Sequence, residues 1–156
     1  MKLLVLSDFI PKVKIGNKLQ KLMMESDYIL FNLEGSPNFE NGKSFGNQIL
    51  PFKYNELVNF LKEFGKEKFV VSLANNYVLD NGELQFNELV KRLKVEDIKY
   101  VGTKDKPYII IGEFAILSFV SRETGISFKT RKYLNTLFFS SKNIYSTVDF
   151  YLVKEN

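Results

Sequence analysis

The chain has 156 residues and a mass of 18.1 kDa, 45% of them hydrophobic and 26% charged, which fits one globular domain over residues 1–156 and excludes disorder. It has no Cys and no His, which excludes disulfides, thiolate or imidazole zinc sites, cysteine nucleophiles, iron–sulfur clusters, Ser-His-Asp hydrolases and HExxH proteases. The net charge of +4, from 22 Lys+Arg against 18 Asp+Glu, is spread along the chain with Lys129, Arg131 and Lys132 as its only cluster, so a solvated basic surface is expected and nucleic acid is not.

Met1 to Leu6 opens like a signal peptide, but Ser7-Asp8 ends the apolar run short of the 7–15 residues such a segment needs. No run approaches the ~20 residues of a membrane span, and a cytoplasmic protein is expected. Leu3 to Leu6 instead suits a buried strand with Ser7 and Asp8 at its carboxyl end. Leu19, Leu22 and Met23 recur at helical spacing after Asn17, a candidate N-cap. Tyr28 to Phe31 predicts a second strand running into Asn32-Leu33-Glu34-Gly35, and residues 35–50, rich in Gly, Asn and Ser, predict a long loop of the kind that is often functional.

Pro51 opens a segment in which Leu57, Phe60, Leu61 and Phe64 predict a helix, with Gly65 as its C′ residue. Phe69 to Ala74 predicts a third strand, followed by Asn75 and Asn76. Asp80-Asn81-Gly82 predicts a turn, and Phe86, Leu89, Val90 and Leu93 a further helix. Ile98 to Gly102 reads as a fourth strand. Tyr108 to Ile111 and Phe114 to Val120 read as a hairpin around Gly112-Glu113, and Val148 to Val153 as a last strand.

Alternating strands and helices followed by a hairpin imply an α/β fold with a largely parallel sheet. Ligands in such sheets sit outside the carboxyl ends of the strands, where this sequence places Ser7 and Asp8, Asn32 and Glu34, and Asn75 and Asn76. A purely structural role is the alternative, because Asp and Asn also terminate strands and cap helices.

Asp27 to Gly35, DYILFNLEG, resembles the D-x-x-x-x-N-L-E-G motif of the bacterial capsule-synthesis CapA (poly-γ-glutamate capsule) family, whose fold is related to the calcineurin-like metallophosphoesterases. Leu73 to Gly82, LANNYVLDNG, resembles that family's A-N-N-H-x-x-D-x-G, and Pro107 to Ser118 its following hairpin. The resemblance implies a layered metallophosphoesterase-like sheet with flanking helices. It also implies metal-binding roles for Asp8, Glu34 as a bridging carboxylate, and Asn76 as an amide-oxygen ligand, holding a water for attack on a phosphoester.

Departures from the family pattern fall on the chemistry. Tyr77 stands at the position of the N-N-H histidine, the expected acid or transition-state stabiliser, and a phenol is a poor acid–base group near neutral pH. Val148 to Asn156 resembles the strand leading into the family's H-W-G-x-E, with Lys154 at the histidine position. Three oxygen ligands suit a weakly bound Mg²⁺ or Mn²⁺, or no metal, and not zinc. A Lys154 ammonium between Asp8 and Glu34 could substitute for the missing cation.

These features together point to a shortened CapA-like protein of capsule or cell-surface polymer biosynthesis, catalytically degraded and acting as a binding or accessory domain. The alternative is a divalent-metal-dependent phosphoester hydrolase using Asp8, Glu34 and Asn76. A third reading is an interaction domain outside surface-polymer synthesis, with weak nucleic-acid binding through the basic cluster. A fold shortened at its C-terminal side would expose an apolar sheet face, so a homodimer or partner chain is expected, with Tyr133 to Phe139 as the covering segment. Packing of that segment into its own core is the alternative.

Overall fold

A computed structural model describes residues 1–39, 51–121, 133–134, 136–137 and 148–154. Its elements in chain order are β1 (Leu3–Phe9), α1 (Asn17–Met24), β2 (Tyr28–Leu33), β3 (Ser36–Asn38), β4 (Pro51–Lys53), α2 (Tyr54–Phe64), β5 (Phe69–Ser72), α3 (Glu83–Val95), β6 (Lys99–Val101), β7 (Tyr108–Ile111), β8 (Phe114–Ser121), β9 (Thr136–Leu137) and β10 (Val148–Lys154). A short 3₁₀ turn at Lys66–Lys68 joins α2 to β5.

The four apolar runs expected as strands form one sheet of order β1-β2-β5-β6, with all pairs parallel. A second sheet of order β10-β8-β7 is antiparallel along that path, and the short β9 pairs with β8 in parallel. The two faces of the parallel sheet have different neighbours. Ile29, Phe31, Leu33, Phe69 and Val71 join the core built by α2 and α3, whereas Leu30 and Val70 pack with Ile111 and Ile116 of the second sheet. Alternate side chains of a strand point to opposite faces, so burial on both sides explains why Ile29 to Leu33 are all buried. On the same parity, Asn32 and Ser72 face the antiparallel sheet.

α2 turns Tyr54, Leu57, Val58, Phe60, Leu61 and Phe64 into the core. Phe60 carries most of the aromatic packing there, with ring centroids 4.4 Å from Phe9 and 5.6 Å from Phe69. The Glu56 carboxylate accepts from the Lys53 backbone N–H at 3.0 Å, which satisfies one donor at the start of α2. α3 buries Phe86, Leu89 and Leu93, on the spacing expected of it.

Some expectations change. Gly16 is the N-cap of α1, and Asn17 is its first helical residue. The loop expected over residues 35–50 begins with strand β3, which pairs in parallel with β4. Its remainder, 40–50, lies outside the described residues, as does the basic cluster Lys129, Arg131 and Lys132. Of the segment Tyr133 to Phe139, Leu134 is fully buried and bridges to Thr103. The Tyr133 ring packs on Phe86 with centroids 5.8 Å apart, and its hydroxyl donates to Glu83. These two residues therefore pack against their own chain's core.

Candidate functional site

The site lies at the carboxyl ends of β1 and β2. Val5 pairs with Leu30, but the next pairing is Asp8 with Asn32, so β1 carries one residue more than β2 over this interval. Such a bulge re-aims a side chain. Here it leaves Ser7 in solvent and sets Asp8, itself solvent-accessible, opposite Asn32.

Asn32 is fully buried and bridges two carboxylates. Its Nδ2 donates to Asp8 Oδ1 at 2.8 Å and to Glu34 Oε2 at 3.0 Å. On its other side, Asn32 Oδ1 accepts from Ser72 Oγ at 3.3 Å, and Ser72 Oγ lies 2.6 Å from Ser118 Oγ of the second sheet. Ser72 and Ser118 are both fully buried. Gly102 backs this pair with φ +101°; a Cβ there would stand 2.8 Å from the Ala74 backbone nitrogen and 3.0 Å from Ser118 Oγ.

Glu34 is 8% exposed, and its backbone N–H donates to the Phe9 carbonyl at 3.0 Å. Burial, reinforced by the like charge of Asp8 and opposed by the Asn32 hydrogen bond, pushes its carboxyl up to about 7. Asp8 and Glu34 form no ion pair among the described residues, so no cationic side chain there offsets their repulsion.

The neighbouring Asn75-Asn76-Tyr77 stretch divides its labour. Asn75, fully buried, donates from Nδ2 to the Leu33 carbonyl and accepts from the Tyr77 backbone N–H at 2.8 Å. It ties the turn after β5 to the end of β2. Asn76 and Tyr77 are half-buried, and among the described residues no hydrogen bond joins either side chain to Asp8 or Glu34. Of the expected site residues, Asp8 and Glu34 are thus brought together, while Asn76 and Tyr77 stand on the adjacent turn.

Lys154 is placed elsewhere. Antiparallel pairing sets it opposite Phe114, four residues from Ser118 along β8, which is about 14 Å at ~3.4 Å per residue. That end of the hairpin adjoins the chain start, where a Cβ on Gly112 would stand 2.8 Å from Met1 Sδ. Asp8 lies at the opposite end of β1, so the register sets the backbone of Lys154 at the far end of the sheets from the acidic pair. The reason is strand direction: β10 runs away from the site.

Ser72 and Ser118 are members of the site that sequence reasoning misses. Their only signal is one serine inside each of two apolar runs, Phe69 to Ala74 and Ala115 to Val120.

The donors brought together here are two carboxylates, with Asp8 Oδ2 and Glu34 Oε1 not engaged by Asn32. This set fits one hard, oxygen-seeking divalent cation with water completing its shell. It does not fit zinc or a two-metal centre, since no cluster of three or more acidic metal-binding side chains occurs among the described residues.

Fold and site together define an α/β domain in which a parallel sheet, backed by a second antiparallel sheet, presents an acidic pair at its carboxyl edge. The chain belongs to the bacterial capsule synthesis protein family PGA_cap, whose family model matches residues 12–108. The match includes Glu34, Asn76 and Tyr77 and begins just after Asp8. No curated protein matches the chain. Among the described residues no helix is long and apolar enough to cross a membrane.

Proposed function

We propose that this capsule-synthesis protein is an accessory or binding domain of surface-polymer biosynthesis, catalytically degraded, whose acidic pair holds a hard divalent cation weakly. One observation carries the reading. Asp8 and Glu34 are locked side by side on one amide, yet the ligands around them are too few for a two-metal hydrolase, and Tyr77 stands where the resembled motif has its histidine. A cation at this pair would relieve the Asp8–Glu34 repulsion and be held mainly by Asp8, Glu34 and Asn76. When bound, it would supply Lewis-acid polarisation of a phosphate or carboxylate oxygen. The chain's own part is to keep both carboxylates oriented and Glu34 largely dehydrated, which strengthens their pull on a cation.

The second reading, a metal-dependent phosphoester hydrolase, is favoured by one feature: a buried Glu34 carboxyl near neutrality is of the kind found at acid–base sites. Both readings are tested by Mn²⁺ titration of the purified chain, paired with a phosphomonoester and phosphodiester hydrolysis screen in Mn²⁺ and Mg²⁺. The accessory reading expects weak Mn²⁺ binding, lost in Asp8→Asn, with no metal-dependent turnover. Turnover that disappears in Asp8→Asn establishes the hydrolase instead.

A further inference from the structure

We propose that Ser72 and Ser118 are positioning residues for the acidic pair: a one-way hydrogen-bond relay from Ser118 through Ser72 to Asn32 fixes the Asn32 amide with its NH₂ toward Asp8 and Glu34, setting the two carboxylates where they can hold a divalent cation. The inference rests on the cation reading of the site and adds to it residues from β5 and from the second sheet.

The direction of the relay follows from counting protons. A serine hydroxyl has one, and that of Ser72 goes to Asn32 Oδ1 at 3.3 Å. In the 2.6 Å contact between the two hydroxyls, Ser118 is therefore the donor. The Asn32 NH₂ has two protons, one for Asp8 Oδ1 and one for Glu34 Oε2. Reversing the amide would turn its oxygen toward two carboxylates, setting acceptor against acceptor twice. Ser72 helps exclude that arrangement by offering a proton on the far side.

The surroundings favour a positioning role over a packing one. Asn32, Ser72 and Ser118 are each fully buried, beside the apolar layer of Leu30, Val70 and Ile116. The Ser72 hydroxyl is spent on the buried Asn32 amide oxygen, so it serves the orientation of that amide rather than the apolar layer around it. Gly102 closes the space behind Ser118 Oγ and keeps that hydroxyl seated against Ser72. With the amide fixed, Asp8 Oδ1 and Glu34 Oε2 are held as acceptors, and the other oxygen of each carboxylate is left to meet a ligand.

The test uses the full chain as wild type, Ser72→Ala, Ser118→Ala and Ser72→Thr. Hydrogen exchange of the Asn32 side-chain amide protons, followed by NMR without metal, should be several-fold faster in both alanine variants and return toward wild type in Ser72→Thr. Mn²⁺ affinity should fall roughly tenfold in the alanine variants, the size seen when groups that orient metal ligands are removed; the denaturation midpoint should fall in Ser72→Ala, which leaves the buried Asn32 Oδ1 without this donor, and less in Ser118→Ala. Unchanged Asn32 exchange in both alanine variants overturns the relay. If exchange responds but Mn²⁺ affinity does not, the positioning role is overturned and the cation reading stands. If the wild-type chain binds no Mn²⁺ while exchange responds as expected, the cation reading fails and the relay is supported. Should Ser72→Ala not fold, Ser118→Ala, which keeps the Ser72 hydroxyl but removes the donor that seats it, decides between these outcomes.

Discussion

Asp8 faces Asn32 across the first two strands because β1 carries one extra residue between Val5 and Asp8, and the Asn32 amide then donates to Asp8 Oδ1 at 2.8 Å. Without that residue, Ser7 would stand at the register position opposite Asn32. The bulge thus turns a strand-end acid into one member of a fixed pair, with Glu34 as the other.

The pair should be visible in the pH dependence of stability. Glu34 is raised from 4.5 to about 7, chiefly by burial and then by Asp8. An acid with a higher pKa in the fold than in the unfolded chain binds its proton more tightly when native. Its contribution is therefore fully present below about pH 4.5, falls as pH rises to about 7, and is constant above. At about 1.4 kcal/mol per unit, the fall is at most on the order of 3 kcal/mol, less whatever water screens at the solvent-accessible Asp8. Urea unfolding of wild type and Glu34→Gln with a chelator should show the wild type losing stability relative to the variant across this window, and Mn²⁺ should reduce the loss. A difference that stays constant from about pH 4 to about pH 8 contradicts the raised carboxyl.

The strands and the two acids are legible in the sequence because a short apolar run that stops at polar residues suits a buried strand and its carboxyl end, and little else. Asp8, Glu34 and the strands that carry them follow from local pattern. Ser72 and Ser118 do not, because they meet only when β8 folds over the parallel sheet, and they lie 46 positions apart. The run Val148 to Val153 announces a strand, but its direction is set by pairing with β8, and that direction removes Lys154 from the site. β4, only three residues long and opening on a proline, is hidden beside a stronger helix signal.

Asp8→Asn separates electrostatics from geometry. An asparagine at this position can still accept from Asn32 through its amide oxygen, so the hydrogen bond survives while the like charge beside Glu34 is lost. The apo variant should be more stable than wild type at about pH 8, where both acids are otherwise charged, and the titration of Glu34 should move down toward its ordinary value. Stabilisation by added Mn²⁺ should disappear. Thermal melts with and without Mn²⁺ test both effects, and undiminished Mn²⁺ stabilisation in Asp8→Asn would place the cation elsewhere.

Two adjacent asparagines should behave very differently. Asn75→Ala leaves the Leu33 carbonyl and the Tyr77 N–H without their side-chain partner in a fully buried position. A cost of about 2–4 kcal/mol is expected, since each orphaned buried group costs about 1–3 kcal/mol. Asn76→Ala should change unfolding stability by no more than about 0.5 kcal/mol, as for a position without such contacts, while weakening Mn²⁺ binding if its amide oxygen is a ligand. Equal destabilisation by the two substitutions in chemical denaturation would contradict this division.

Gly102 and Gly82 offer a paired test of close approach behind the serine relay. Both have positive φ, +101° and +87°, but a Cβ on Gly102 would stand 2.8 Å from the Ala74 nitrogen and 3.0 Å from Ser118 Oγ, whereas one on Gly82 meets nothing within 4 Å. Gly82→Ala should therefore cost only the backbone strain, about 1–3 kcal/mol. Gly102→Ala adds overpacking of about 1–3 kcal/mol, because the Ala74 nitrogen belongs to the backbone and cannot swing aside. The displacement should also reach the site through Ser118, so Asn32 amide exchange should quicken in Gly102→Ala and stay unchanged in Gly82→Ala. Similar stability losses in the two variants would mean that β6 and the turn after β5 can separate more easily than their packing implies.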